Sequence, residues 1–323
     1  MKAAVLHKLG TAPKYEDFAD PTPNAEQALI TVKAASVKNL DKGRASGAHY
    51  ASYKELPAIV GIDGVGVLSD GTRVYAVGIS GMIAEKAVIN KHNYVKLPDL
   101  IDDVTAAALP NAVMGAALAL RFRAAIQPGE VVLINGATGV TGMVAIQIAK
   151  HYGAKKVIAT GRNPESLKKL AALGADEIVS LKQDDEAIIH HMKELHSTTP
   201  IDIVLDYTWG HPVELILTAL KGGGAVHMVS HRVRLVTVGE MAGSNITLPS
   251  GILRSSAIEI LGSGLGSLSR EALQKQNTEI LPEMFQLAAE GKLKVETVTA
   301  PLSDIEEAWV RDIPAGERLV IVM

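Results

Sequence analysis

Two different hydrophobic rhythms divide the chain. Residues 1–121 carry short alternating runs such as Ala28-Leu29-Ile30-Thr31-Val32-Lys33-Ala34, separated by Gly, Pro and Asp, which predict β-structure of barrel or sandwich type. Asp70-Gly71 marks a two-residue hairpin turn between the strands Gly64–Leu68 and Arg73–Val77. From Glu130 the period changes. Apolar runs at Val131–Asn135, Lys156–Thr160, Glu177–Leu181, Ile201–Asp206 and Ile258–Leu261 alternate with amphipathic stretches of helix length, the pattern of βαβ units around a parallel sheet. After the second run, Asn163 can cap a helix that Pro164 opens and Gly174 ends. A second helix is expected over Asp184–His196 and a third over Leu281–Glu290, stopped by Gly291. The tail then returns to the first domain through extended pieces at Lys294–Thr299 and Arg318–Met323.

Length supports the division, because 323 residues exceed the ~250 to 300 at which single cores stop growing. With 47% hydrophobic and 21% charged residues the chain can fill such cores. A formal charge of −3 gives no general attraction for nucleic acid or anionic membrane, so any anion must be bound locally. Zero cysteine excludes disulfides, thiolate nucleophiles, iron–sulfur clusters and cysteine-containing zinc sites, and fits a cytoplasmic protein. The stretch Met1–Gly10 is too short for a signal peptide, so Asn245-Ile246-Thr247 is not expected to be glycosylated. Val104–Leu120 is uncharged but falls short of the ~20 residues of a membrane span, which predicts a buried helix.

The chemistry sits where the first buried strand runs into Gly136-Ala137-Thr138-Gly139-Val140-Thr141-Gly142. Ala137, Gly139 and Gly142 take the three positions of G-x-G-x-x-G. Gly139 lets backbone approach a pyrophosphate, Gly142 lets helix pack on strand, and the helix start at Thr141 points N–H groups and positive dipole at the anion. About 20 residues on, an NAD site would place an acid; here the second strand ends Ala159-Thr160-Gly161-Arg162, with no carboxylate before Glu165. Gly161 clears space and Arg162 offers a planar fork to a 2′-phosphate, so NADPH is expected rather than NADH.

With that fingerprint in place, the whole chain resembles the zinc-independent branch of the medium-chain dehydrogenase/reductase superfamily, the quinone oxidoreductases related to zeta-crystallin. The resemblance rests on Ala34-Ala35-Ser36-Val37-Lys38-Asn39-Leu40-Asp41, Gly61-Ile62-Asp63-Gly64-Val65-Gly66, Ala106-Ala107-Ala108-Leu109-Pro110, the glycine turn with Gln147-Ile148-Ala149-Lys150, and Leu261-Gly262-Ser263, in this order. It implies a central doubly wound parallel (Rossmann) sheet, residues 122–267, and a mostly β GroES-like domain made of 1–121 and 268–323, with the active site in the cleft between them. Where the zinc alcohol dehydrogenases of that superfamily carry Cys-His-Thr-Asp and Gly-His-Glu, this chain has Lys38-Asn39-Leu40-Asp41 and Gly61-Ile62-Asp63, so both zinc-ligand positions are lost. The implied reaction passes hydride from C4 of the nicotinamide to a quinone or to the β-carbon of an α,β-unsaturated carbonyl. That chemistry needs donors that polarise the acceptor more than a strong acid. Lys38, in the lost metal-ligand position, and Asn39 beside it are the candidates for that role, with Tyr53 as a hydroxyl lining the cleft. Ala137, Thr138, Gly139, Val140, Gly142, Thr160, Gly161, Arg162, Gly239, Gly262 and Ser263 are the candidates for holding the cofactor. The family pairing of the strand near Ile258–Leu261 implies a homodimer.

Three features depart from that pattern. The Gly66–Thr72 connection is short, Gly115 stands where the family often has threonine, and an insertion lies between Gly222 and Gly239. Either Ala225–Val229 or Leu235–Val238 can be the fifth strand; the family match favours the latter and leaves residues 225–233 as an added loop. His227 and His231 are four apart but lie in strand or loop without a carboxylate partner, and His190, His191 and His196 form no i, i+4 pair. No metal site is expected. No serine-hydrolase, P-loop or zincin motif occurs. An enoyl-thioester or alkenal reductase would use the same cofactor geometry. A cofactor-binding sensor without turnover is the reading from outside the enzymes.

Overall fold

The computed structural model describes residues 1–221 and 231–323. It divides into two compact units, Met1–Asn111 with Lys275–Met323, and Ala112–Gln274.

The first unit begins with β1 (Lys2–Leu6), β2 (Lys14–Asp17), β3 (Gln27–Val37), β4 (Ala58–Ile59), β5 (Asp63–Val67), β6 (Arg73–Gly78) and β7 (Lys86–Lys96). The alternation read in the sequence becomes a sided strand: in β3, Ile30 and Val32 are buried while Thr31 and Lys33 are exposed. β3 pairs antiparallel with β5 and, through Gln27–Thr31, with β7, while β5, β6 and β7 pair in succession, so the four strands close into a ring. Val32, Val74, Ala76 and Ile89 from these strands belong to one buried core. The hairpin connection corrects the expectation of a two-residue turn. Leu68 N–H donates to the Thr72 carbonyl and Gly71 N–H to the Leu68 carbonyl, leaving three residues, Ser69-Asp70-Gly71, at the tip.

The stretch expected as one buried helix is broken. It runs as helices Asp103–Ala108 and Pro110–Val113, then as a wide π-helical segment Met114–Arg123. Pro110 has no N–H to continue the first helix. The first unit's opening segment ends inside this stretch, at Asn111, and Met114–Arg123 packs on helix Val140–His151 within the second unit. The second unit ends at Gln274.

The second unit carries β8 (Val131–Asn135), β9 (Lys156–Gly161), β10 (Glu177–Ser180), β11 (Ile203–Asp206), β12 (Val233–Thr237) and β13 (Ile258–Gly262), in the order β10-β9-β8-β11-β12-β13. All pairings are parallel. Every residue of β8 and β11 is buried, which is why both read as unbroken apolar runs. Chain order reverses beside β8, the switch point at which such sheets open a crevice at the carboxyl ends of their strands. Asn163 Oδ1 accepts from Glu165 and Ser166 N–H, and Gly174 closes the turn after helix Pro164–Leu170 in the left-handed region. Asp184 caps helix Asp185–Thr198. β12 is the Leu235–Val238 alternative, shifted toward Val233; the Ala225–Val229 alternative and His227 lie outside the described residues.

The tail returns to the first unit. After helix Leu281–Ala289, β14 (Glu296–Pro301) pairs parallel with β15 (Glu317–Val322), which lies antiparallel on β3 with Val320 opposite Ser36.

Candidate functional site

The turn after β8 is shaped by close backbone contacts. Gly136 has φ +83°, so the residue that needs the left-handed region is Gly136 and not Ala137, which was assigned the first motif position. Ala137 is fully buried and its N–H donates to the Thr160 carbonyl at 2.7 Å. A Cβ on Gly142 would lie 2.5 Å from Ala137 Cα, which is the close packing the motif requires. Gly139 differs: a Cβ there would meet nothing within 4 Å. Gly139 is also the N-cap of the twelve-residue helix Val140–His151, and no side chain caps it. An uncapped helix N-terminus with open space at its first glycine fits a pyrophosphate, whose oxygens would satisfy the orphan N–H groups.

The other cofactor candidates all fall at carboxyl ends of the parallel strands: Thr160, Gly161 and Arg162 at β9, Gly239 after β12, Gly262 and Ser263 at β13. Two of them behave differently from expectation. The space beside Gly161 is not open, because a Cβ there would lie 2.3 Å from Thr138 Cγ2; the turn itself occupies it. Thr160 is fully buried, and its hydroxyl donates to Asn135 Oδ1 at 2.6 Å while accepting from Gly136 N–H at 3.3 Å. It lies beneath the turn, while Arg162 is exposed.

Sequence reading missed the end of β11. Asp206, fully buried, receives Asn135 Nδ2 at 2.8 Å, Thr208 N–H and Oγ1, and Trp209 N–H. Trp209 then adopts φ 51°, ψ −158°, a conformation otherwise left to glycine. A polar residue closing an apolar strand, as Asp206 closes Ile201–Asp206, was the available signal.

In the first unit, Lys38, Asn39 and Tyr53 stand in three different surroundings. Lys38 is 2% exposed. Its ammonium lies 2.5 Å from Asp63 Oδ1, 3.1 Å from Asp41 Oδ2 and 3.0 Å from the Ser36 carbonyl, so its hydrogens are already engaged. Burial opposes that charge, but Asp41 and Asp63 outweigh it and hold the lysine above its ordinary value. Asp41 also accepts from Lys38 N–H and Ile62 N–H, tying helix Asn39–Ser46 to the strand entry at Asp63. Tyr75 donates to Asp63 Oδ2 at 2.9 Å, and Arg318, buried, lies in electrostatic reach of both carboxylates. Asn39 is exposed at the first position of its helix. The Tyr53 hydroxyl is buried without a partner at hydrogen-bonding geometry, with the Arg44 guanidinium over its ring at 4.7 Å. Burial raises its pKa. Among the described residues, no three His, Asp or Glu side chains are grouped to hold a metal ion, and no helix is long and apolar enough to cross a membrane. His231 pairs with Asp202 Oδ1 at 2.7 Å.

A family model described as zinc-binding dehydrogenase matches residues 140–284. The probable NADPH-dependent quinone reductase tdiC of Emericella nidulans is 28% identical over 96% of each chain. The quinone oxidoreductase of Homo sapiens is 32% identical over 67% of this chain and 68% of its own. The quinone oxidoreductase of Thermus thermophilus, solved also with NADPH, superposes over 100% of both chains with a TM-score of 0.80 at 28% identity. The fold and these likenesses place the chain: it belongs to the quinone oxidoreductase family of the medium-chain dehydrogenases/reductases.

Proposed function

We propose that this protein is an NADPH-dependent reductase that passes a hydride to a quinone, or to another electron-poor conjugated carbonyl, without zinc. The observation that carries the reading is the uncapped glycine turn at the carboxyl end of β8, open at Gly139 and packed tight at Gly142. Exposed Arg162 at the end of β9, with no carboxylate following in the sequence before Glu165, supports NADPH over NADH. When bound, the nicotinamide supplies the hydride; the chain's own residues bind, orient and polarise. Asn39 supplies, from an exposed position, the hydrogen-bond donor to the acceptor oxygen, and Tyr53, its hydroxyl buried, lines the acceptor's side of the first unit. Lys38 contributes from behind. Its ammonium, held between Asp41 and Asp63, ties helix Asn39–Ser46 to the strand entry at Asp63 and so fixes the position of Asn39. Gly239, Gly262 and Ser263 line the crevice side of β12 and β13 in this reading. The enzyme acts in the cytoplasm, a setting that suits a cysteine-free chain, and pairs as a homodimer through the sheet-edge strand β13.

The test follows NADPH and NADH absorbance with ortho- and para-quinones, an alkenal and an enoyl thioester. Oxidation of NADPH by quinones is expected. Turnover confined to the alkenal or thioester would replace the acceptor class, and binding without turnover across the panel would make the protein a sensor.

A further inference from the structure

We infer that Asp206 and Asn135 are a positioning pair of the cofactor site, locking the pyrophosphate turn after β8 to the Trp209 corner after β11. The inference rests on a nicotinamide dinucleotide as cofactor but not on the identity of the acceptor.

Three neighbouring strands each place a polar side chain at the same level: Thr160 on β9, Asn135 on β8 and Asp206 on β11, all fully buried. A packing role alone would be met by aliphatic side chains at lower desolvation cost. Instead the three form a continuous chain. Gly136 N–H donates to Thr160 Oγ1, whose hydroxyl donates to Asn135 Oδ1 at 2.6 Å. The Asn135 amide then donates to Asp206 Oδ1 at 2.8 Å and to Thr208 Oγ1 at 2.7 Å. Asp206 closes the chain by accepting Trp209 N–H on both of its oxygens, at 3.0 and 3.2 Å.

The two ends of this chain are places where the backbone has little freedom to relax. One is Gly136, at φ +83°, where a Cβ would lie 2.7 Å from Thr208 Cγ2. The other is the Trp209-Gly210 corner, where both residues have positive φ although Trp209 is no glycine. The corner also holds the loop after β12: Ala242 N–H donates to the Thr208 carbonyl at 2.7 Å, and a Cβ on Gly210 would lie 2.8 Å from the Ala242 carbonyl. The network therefore sets the turn, the corner and the loop beyond Gly239 against one another around the switch point, where the dinucleotide's bridge and nicotinamide arm are bound. Burial raises the Asp206 pKa, and the four neutral donors that converge on its carboxylate oppose that shift and fix the direction in which its oxygens point.

The experiment compares Asp206→Asn, Asn135→Asp and the double exchange Asn135→Asp with Asp206→Asn, measuring Kd for NADPH and for adenosine 2′-phosphate, and thermal unfolding. Each single change mismatches a buried hydrogen bond and is expected to weaken NADPH about tenfold or more. The double exchange restores a carboxylate–amide pair and is expected to recover affinity to within about threefold. Adenosine 2′-phosphate, which lacks the bridge and nicotinamide, is expected to change less than about twofold. Thr208→Val keeps side-chain shape while removing one donor to Asp206, and is expected to weaken NADPH about threefold even if the single exchanges fail to fold. Unchanged NADPH affinity in folded single variants and in Thr208→Val overturns the inference. So does a loss that the exchange does not recover, or one equal for both ligands, since either is what a purely structural role produces. Absence of NADPH binding in the parent protein would instead overturn the cofactor reading itself.

Discussion

Lys38 is the residue whose position most changes the chemistry assigned to it. An ammonium between two carboxylates in the interior is stabilised only while both partners remain. Lys38→Met, which keeps volume and removes charge, is expected to cost about 3–5 kcal/mol in urea unfolding, because Asp41 and Asp63 are left as uncompensated anions. The pH dependence follows from the raised lysine value. The pair's contribution is fully present below the unfolded lysine value of about 10.4 and is lost only as pH climbs through the higher folded value. The stability of the parent should therefore fall in that alkaline window, and that of the Lys38→Met variant should not show this component.

Tyr53 behaves in the opposite sense. Its buried hydroxyl makes no hydrogen bond of good geometry and only a weak approach to the Gly61 backbone, so Tyr53→Phe is expected to change thermal stability by less than about 1 kcal/mol, yet to lower kcat with quinone about tenfold. Full turnover in that variant removes Tyr53 from the acceptor site. Arg162→Ala is expected to weaken NADPH roughly tenfold to hundredfold, the value of a charge-assisted phosphate contact, with NADH affinity held; an unchanged NADPH Kd removes the 2′-phosphate assignment.

At the scale of elements, the strand–turn–helix unit from Val131 to His151 separates two glycine roles that the motif alone merges. Gly139→Ala has room for its methyl and should melt with the parent, while the methyl occupies the cradle and weakens NADPH about tenfold or more. Gly142→Ala drives a methyl into Ala137 Cα and should lose about 1–3 kcal/mol of stability as well as binding. Calorimetry on the two proteins decides whether the roles divide this way. The same unit marks how far sequence carried. β8, its following helix and the capped helix from Pro164 were legible because each depends on residues a few positions apart. Gly136 was passed over for Ala137 because spacing counts positions without reporting φ. The long apolar run Val104–Leu120 hid its breaks because hydrophobicity is the same for an α-helix, a π-helix and the joint between them.

For the whole molecule, β13 is the last strand of the parallel sheet among the described residues, and the proposed homodimer would cover the backbone groups of that edge. Light scattering is expected to report a dimer, and Ile260→Pro, which removes a strand N–H, is expected to yield monomer; a monomeric parent rejects the pairing. By itself the sequence determined the two rhythms, the parallel sheet, the glycine turn and the absence of cysteine chemistry, since periodicity, steric freedom and composition are local properties. Tertiary structure decided what the side chains meet. It buried Lys38 between Asp41 and Asp63, filled the space beside Gly161 with Thr138, and joined Asn135, Thr160 and Asp206 into one network. Those residues are 25 or 71 positions apart along the chain. Only the order of strands in the sheet, set by the burial of many distant apolar residues at once, brings them within hydrogen-bonding distance.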